Sequence, residues 1–117
     1  MQDVKTAILQ AINQDTDNKI LSGFIWNGMS VWLSSENQFN YKAAYDLTLQ
    51  SNGQTLPVLF KFGTIDNPIY YTFKTIEELS DFYISAMKYI SDTLAEGWRM
   101  KDSIDWNLYE EELKNLQ

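Results

Sequence analysis

The stretch Thr75–Lys101, TIEELSDFYISAMKYISDTLAEGWRMK, decides how this chain is read. Its opening, Thr75-Ile76-Glu77-Glu78, has the capping-box spacing. In that box the Thr75 hydroxyl accepts from the backbone N–H of Glu78, and the Glu78 carboxylate reaches back to that of Thr75. Glu77 and Glu78 also stand where the helix dipole favours negative charge. Apolar residues recur at Ile76, Leu79, Tyr83, Ala86, Ile90, Leu94 and Trp98, and Phe82 and Tyr89 widen this stripe. Asp81, Ser85, Lys88, Asp92 and Arg99 occupy the opposite face. The pattern predicts one long amphipathic helix, spanning ~39 Å, long enough to project from a small domain. Gly97 costs roughly 1 kcal/mol relative to Ala inside a helix. Either the helix stops there or another element packs close against it, and Trp98 favours continuation.

Around this helix, composition sets limits. With 117 residues, 44% hydrophobic and 15% aromatic, the chain predicts a single domain with a real core. Its net charge of −7 leaves no basic surface with which to release nucleic-acid counterions, so nucleic acid and anionic membrane are poor partners. The absence of cysteine removes disulfides and thiolate chemistry. The absence of histidine removes the usual general base and the commonest metal ligand. The opening MQDVKTAILQAINQD has no basic region followed by an apolar core, and no apolar run reaches the ~20 residues that span a bilayer. The expectation is a soluble protein made in a cytoplasm.

Upstream, residues 3–13 read as a short helix capped by Asp3, with Val4, Ala7, Ile8, Ala11 and Ile12 on one face. Residues 13–19 read as a polar loop. Asp15-x-Asp17 fails as a calcium loop because Lys19 takes the next ligand position. Residues 20–33 carry a β-hairpin signal centred on Asn27-Gly28, the preferred type I′ pair. That turn pairs Trp26 with Met29, Phe24 with Val31 and Ser22 with Leu33 on a buried face. Leu21, Gly23, Ile25, Ser30 and Trp32 are left on the other.

Ser35-x-x-Gln38 is a second capping-box match, and Phe39, Ala43 and Leu47 follow at helical spacing. Tyr45-x-Leu47-x-Leu49 also alternates like a strand that Asn52-Gly53 could turn back, but Glu36 to Ala44 has no strand character, so residues 34–50 are read as a helix. Two further strands read at 56–62 and 69–73, and Asp105 caps a last helix bearing Trp106, Tyr109, Leu113 and Leu116. The resulting fold class is α+β, in the order α-β-β-α-β-β-α-α. Two antiparallel hairpins merge into one small sheet with helices on one face.

Several short features coincide with a known family. They are Val31-Trp32-Leu33, Glu36-Asn37-Gln38-x-Asn40, Tyr71-Thr72-Phe73 leading into Thr75-x-x-Glu78-Leu79, and Gly97-Trp98-x-x-Lys101. Over about residues 18–105 the chain resembles a domain of unknown function found in tailed phages and prophages, often beside tail-fibre genes. The resemblance implies a virion-associated or assembly role and supplies no catalytic residues.

The residues singled out for partner binding are Ile25, Trp32, Tyr70, Trp98 and Lys101. Exposed aromatic rings suit protein partners and sugars alike. Simple packing also accounts for them: Trp98 as a core residue, Lys101 as an edge cation, Trp32 against a helix or another subunit. The pair Asp92 and Glu96 falls on the polar face, where acid–base chemistry lacks the burial that shifts a pKa. Asp102 and Asp105 read as helix stop and start rather than a metal site. No cofactor or metal is implied. The leading expectation is a non-enzymatic interaction or structural module whose partner is itself or another phage protein. The alternative is a carbohydrate-binding module using Trp32, Tyr70 and Trp26. An enzyme is the least supported.

Overall fold

The computed structural model describes residues 2–116, apart from the side chains of Gln2 and Leu113. The elements are α1 (Gln2–Ser22), β1 (Phe24–Trp26), β2 (Met29–Val31), α2 (Ser35–Gln50), β3 (Val58–Gly63), β4 (Pro68–Phe73), α3 (Ile76–Asp102) and α4 (Trp106–Asn115). This is the α+β order read from the sequence, with the long helix in place. The Thr75 hydroxyl accepts from Glu78 N–H at 3.2 Å. The return arm of the box is absent, because the Glu78 carboxylate instead accepts a hydrogen bond from the Tyr71 hydroxyl at 3.0 Å.

The first hairpin has the register that its turn dictates, with Trp26 opposite Met29 and Phe24 opposite Val31. Asn27 and Gly28 both adopt positive φ, 49° and 76°, as a type I′ turn requires. Phe24, Trp26, Met29, Val31 and Leu33 are buried. Ser22 does not pair with Leu33 in a strand, because α1 runs through it; Leu33 N–H donates to the Leu21 carbonyl instead. The second hairpin pairs Phe60 with Tyr71 and Phe62 with Ile69. The expected single sheet is two separate two-stranded ladders, β1-β2 and β3-β4, with β2 lying beside β3. The helices cover the inner faces, and Ile25, Leu59 and Tyr70 stay exposed on the outer ones.

Phe82 of α3 is the hub of the core. Its ring lies 5.4 Å from Trp26, 5.1 Å from Tyr41, 5.1 Å from Phe62 and 5.4 Å from Phe73, centroid to centroid. The flanking residue of the sequence stripe is thus its centre, and Trp98 at the far end is 57% exposed.

Two helices also depart from their sequence expectations. First, α1 does not end at residue 13 but continues through the polar run to Ser22. The polar residues there have partners along α3: Asn13 accepts from Lys101 Nζ at 2.6 Å, and Thr16 packs against Gly97. Asp15 and Lys19, four apart, pair at 3.0 Å on the outside. Second, α2 turns a different face inward. Tyr41 and Thr48 are buried and Tyr45 is partly so, while Phe39 and Leu47 remain 70% and 54% exposed. The aromatic face wins because Tyr41 meets Phe60, Phe62 and Phe82, and Tyr45 stacks on Tyr83 at 4.6 Å. The α2 cap is also shifted by one residue: Ser34, not Ser35, accepts from Asn37 N–H.

The α1–α3 pair extends beyond the aromatic core as an antiparallel stalk. The molecule measures 67 × 32 × 21 Å with a radius of gyration of 19.6 Å, against about 13 Å for a compact chain of this length. Gly97 permits the close approach: a Cβ there would stand 2.5 Å from Thr16 Oγ1. Gly97→Val is therefore expected to destabilise the chain by ~1–3 kcal/mol, with Thr16→Ala recovering part of the loss in urea titrations of the double variant.

Burial pushes the Tyr41 hydroxyl up from 10.0 to about 12. The folded state thus holds this proton more tightly than the unfolded one, so the associated stability is complete below pH 10.0 and is lost as pH rises through about 12. Tyr41→Phe is expected to flatten that alkaline decline, read from midpoints of unfolding between neutral pH and the alkaline limit.

Candidate functional site

Two concave regions stand at opposite ends of the molecule. The first, about 700 Å³, opens where β2 lies beside β3 and is lined by Leu21, Trp32, Lys61 and Ile65 among others. Trp32 follows β2 directly. Its carbonyl accepts from Asn37 Nδ2 at 2.7 Å, and the next carbonyl, of Leu33, accepts from Gln38 Nε2 at 2.9 Å. The first turn of α2 thereby fixes the backbone that carries Trp32, while the indole remains 51% exposed. Ile65, in the loop between β3 and β4, is 98% exposed. Lys61 sits at the rim with its ammonium 5.9 Å from the Tyr70 ring centre.

The second region, about 560 Å³, lies at the stalk end among Lys5, Leu9, Trp98, Lys101, Asp102 and Trp106. It is shaped by the α1–α3 seam and the start of α4. Lys101 is engaged by Asn13, and the Lys5 ammonium lies 5.0 Å from the Trp106 ring centre.

The five residues named from the sequence therefore divide. Trp32 lines the groove between the hairpins, and Ile25 and Tyr70 project from the outer faces of β1 and β4 without lining it. Trp98 and Lys101 belong to the stalk end. Trp98 is not the core residue that its place in the stripe suggested. The proposed sugar platform loses Trp26, which is 5% exposed, packs among Phe62, Tyr71, Phe73 and Phe82, and donates Nε1–H to Asp81 Oδ2 at 3.0 Å. Sequence reasoning missed Leu21, Lys61 and Ile65, because a groove between two hairpins has no periodic signature along the chain.

Both members of the acidic pair are engaged in surface ion pairs. Asp92 pairs with Lys88 at 2.7 Å on the surface. Glu96 pairs with Arg99, whose hydrogen bonds hold its carboxyl below the usual range. Among the described residues no group of His, Cys, Asp and Glu could hold a metal ion, and no helix is long and apolar enough to cross a membrane.

The short features that carry the family resemblance now have physical roles. Asn37 and Gln38 are bonded to Trp32 and Leu33, Tyr71 to Glu78, Gly97 packs on Thr16, and Lys101 is bonded to Asn13. These contacts assemble the fold. The architecture is thus that of an elongated α+β protein with an aromatic head, a helical stalk and an open groove. The chain belongs to the family described as Domain of unknown function (DUF4376), whose match covers residues 3–115 and so takes in all of α1 but Gln2, and the whole of α4 as well. No curated protein and no solved structure matches it.

The indoles report this geometry directly. Trp32→Phe and Trp98→Phe are each expected to remove acrylamide-quenchable emission, whereas Trp26→Phe removes a blue-shifted, protected component; quenching of the single variants measures both.

Proposed function

We propose that this chain is a non-enzymatic interaction module whose partner docks in the groove lined by Leu21, Trp32 and Ile65. The observation that carries this reading is Trp32: a large indole half-exposed on backbone that α2 holds in place. Rigid, exposed Trp with apolar neighbours is the composition of an interface hot spot. Exposed apolar clusters of this kind on a small protein mark docking surfaces. Lys61 and Asp66 stand in the groove lining as polar groups able to orient an occupant.

The resemblance to a phage and prophage domain supports a setting in the particle or its assembly, with the partner a tail-fibre protein, another phage protein or a second copy. The net charge of −7 disfavours nucleic acid and anionic membrane. Asp92 and Glu96, ion-paired on the surface, lend no support to acid–base chemistry at that pair.

The test is Trp32→Ala with Ile65→Ser, two exposed positions whose replacement leaves the core intact. Binding to purified proteins encoded beside this chain, and the chain's own association measured by light scattering, are compared with the parent. Loss of affinity by about tenfold or more in either is expected. Unchanged association in both overturns the reading, and glycan binding that depends on Trp32 would replace it with the carbohydrate alternative.

A further inference from the structure

The chain has two Asn-Gly pairs, Asn27-Gly28 and Asn52-Gly53, with positive φ at all four residues. Such a pair loses ammonia without an enzyme. The Gly nitrogen attacks the Asn Cγ, and its proton passes through solvent to the departing Nδ2. The N–Cγ bond forms, the Cγ–Nδ2 bond breaks, and Nδ2 leaves as ammonia. Water then opens the cyclic imide. Cleavage at Cγ gives aspartate; cleavage at the main-chain carbonyl gives isoaspartate, in which the backbone runs through Cβ and Cγ.

The attack needs the Asn Cβ to eclipse the next nitrogen. That alignment is the ψ of about −120° found at the first central residue of a type II′ turn, against about +30° in type I′. Rotation of the Asn27–Gly28 peptide plane converts one turn into the other, and both close a two-residue hairpin. The flip therefore brings the Gly28 nitrogen to Asn27 Cγ without unpairing Trp26 from Met29. It strains Asn27, so the flipped state is transient. Little else holds the plane. Among the described residues the Gly28 N–H has no hydrogen-bond partner, both residues are exposed, and no heavy atom lies within 4 Å of where a Gly28 Cβ would stand. At Asn52-Gly53 the same plane is fastened. The Gly53 N–H donates to the Thr48 carbonyl at 2.9 Å, and half-buried Gly53 has Ile76 and Leu56 beside it.

We propose that Asn27 is a site of spontaneous modification, converting to isoaspartate in the folded chain, and that this conversion releases the first hairpin. Isoaspartate adds a backbone carbon to the turn. With only three residues in each strand, the turn sets the register, and the Trp26–Met29 pairing is lost with it. The product carboxylate also replaces a carboxamide that faces the Tyr71 hydroxyl, the donor to Glu78. Trp26 then leaves the core.

The test incubates the full-length chain at mildly alkaline pH. Both Asn-Gly peptides are followed by mass spectrometry, isoaspartate is identified by enzymatic methylation, and each rate is divided by that of the same peptide in urea. On this scale Asn27 is expected to convert about tenfold or more faster than Asn52, which must first break a hydrogen bond. Modified chain, separated by anion exchange, is expected to lose the acrylamide-protected emission of Trp26. Asn27→Gly, whose Gly-Gly pair keeps the turn, is expected to retain that emission through the same incubation. Freshly prepared Asn27→Asp, which has the charge without the extra backbone carbon, is expected to retain it too. Equal scaled rates, or conversion of Asn27 only in urea, overturn the site. Modified chain that keeps Trp26 protected overturns the release of the hairpin, and loss of protection in fresh Asn27→Asp overturns its backbone cause.

Discussion

The fold depends on the burial of one ring, Phe82, among aromatic side chains from four other elements. β1 contributes Trp26, α2 contributes Tyr41, β3 contributes Phe60 and Phe62, and β4 contributes Phe73, all with ring centroids within 5.8 Å of it. Two isolated hairpins of three and six residues per strand are marginal in water. Packed on this ring, each gains a buried face and the geometric preference of aromatic pairs. That is also why the hairpins need no shared ladder: their relative position is set by side chains that converge on α3, not by backbone hydrogen bonds between β2 and β3.

The same helix builds a second, different environment beyond the head. Along the stalk the contacts between α1 and α3 are small or polar, with Gly97 on Thr16 and Lys101 on Asn13, and the apolar residues Ile8, Leu9, Ile12 and Leu94 are only partly buried. A pair of helices encloses less apolar area than a head closed on several sides. The stalk therefore has lower local stability than the head. Its surface ion pairs, Asp15–Lys19, Lys88–Asp92 and Glu96–Arg99, add little, since exposed pairs are worth about 0–1 kcal/mol each. The chain thus joins a rigid aromatic head, which fixes Trp32, to an extended arm bearing α4 at its tip.

The sequence by itself determined the element order, the Asn27-Gly28 turn and its register, the cap at Thr75 and the length of α3. Each is a local property: a dipeptide that tolerates positive φ, a hydroxyl three residues ahead of an N–H, an apolar period along one helix. The spacing of the sequence at Phe39, Ala43 and Leu47 pointed to a face of α2 that is not the buried one. Phe39-Ala43-Leu47 and Tyr41-Tyr45-Thr48 are both helical stripes, and only the presence of Phe60, Phe62 and Tyr83 opposite chose the second. Tertiary structure likewise turned the polar run at 13–19 into helix, because Asn13 and Thr16 find partners on α3 some eighty residues away. It buried Trp26, exposed Trp98 and placed Trp32 beside Ile65 at the junction of two hairpins. Those outcomes rest on which surfaces meet in space, and no spacing along the chain encodes that.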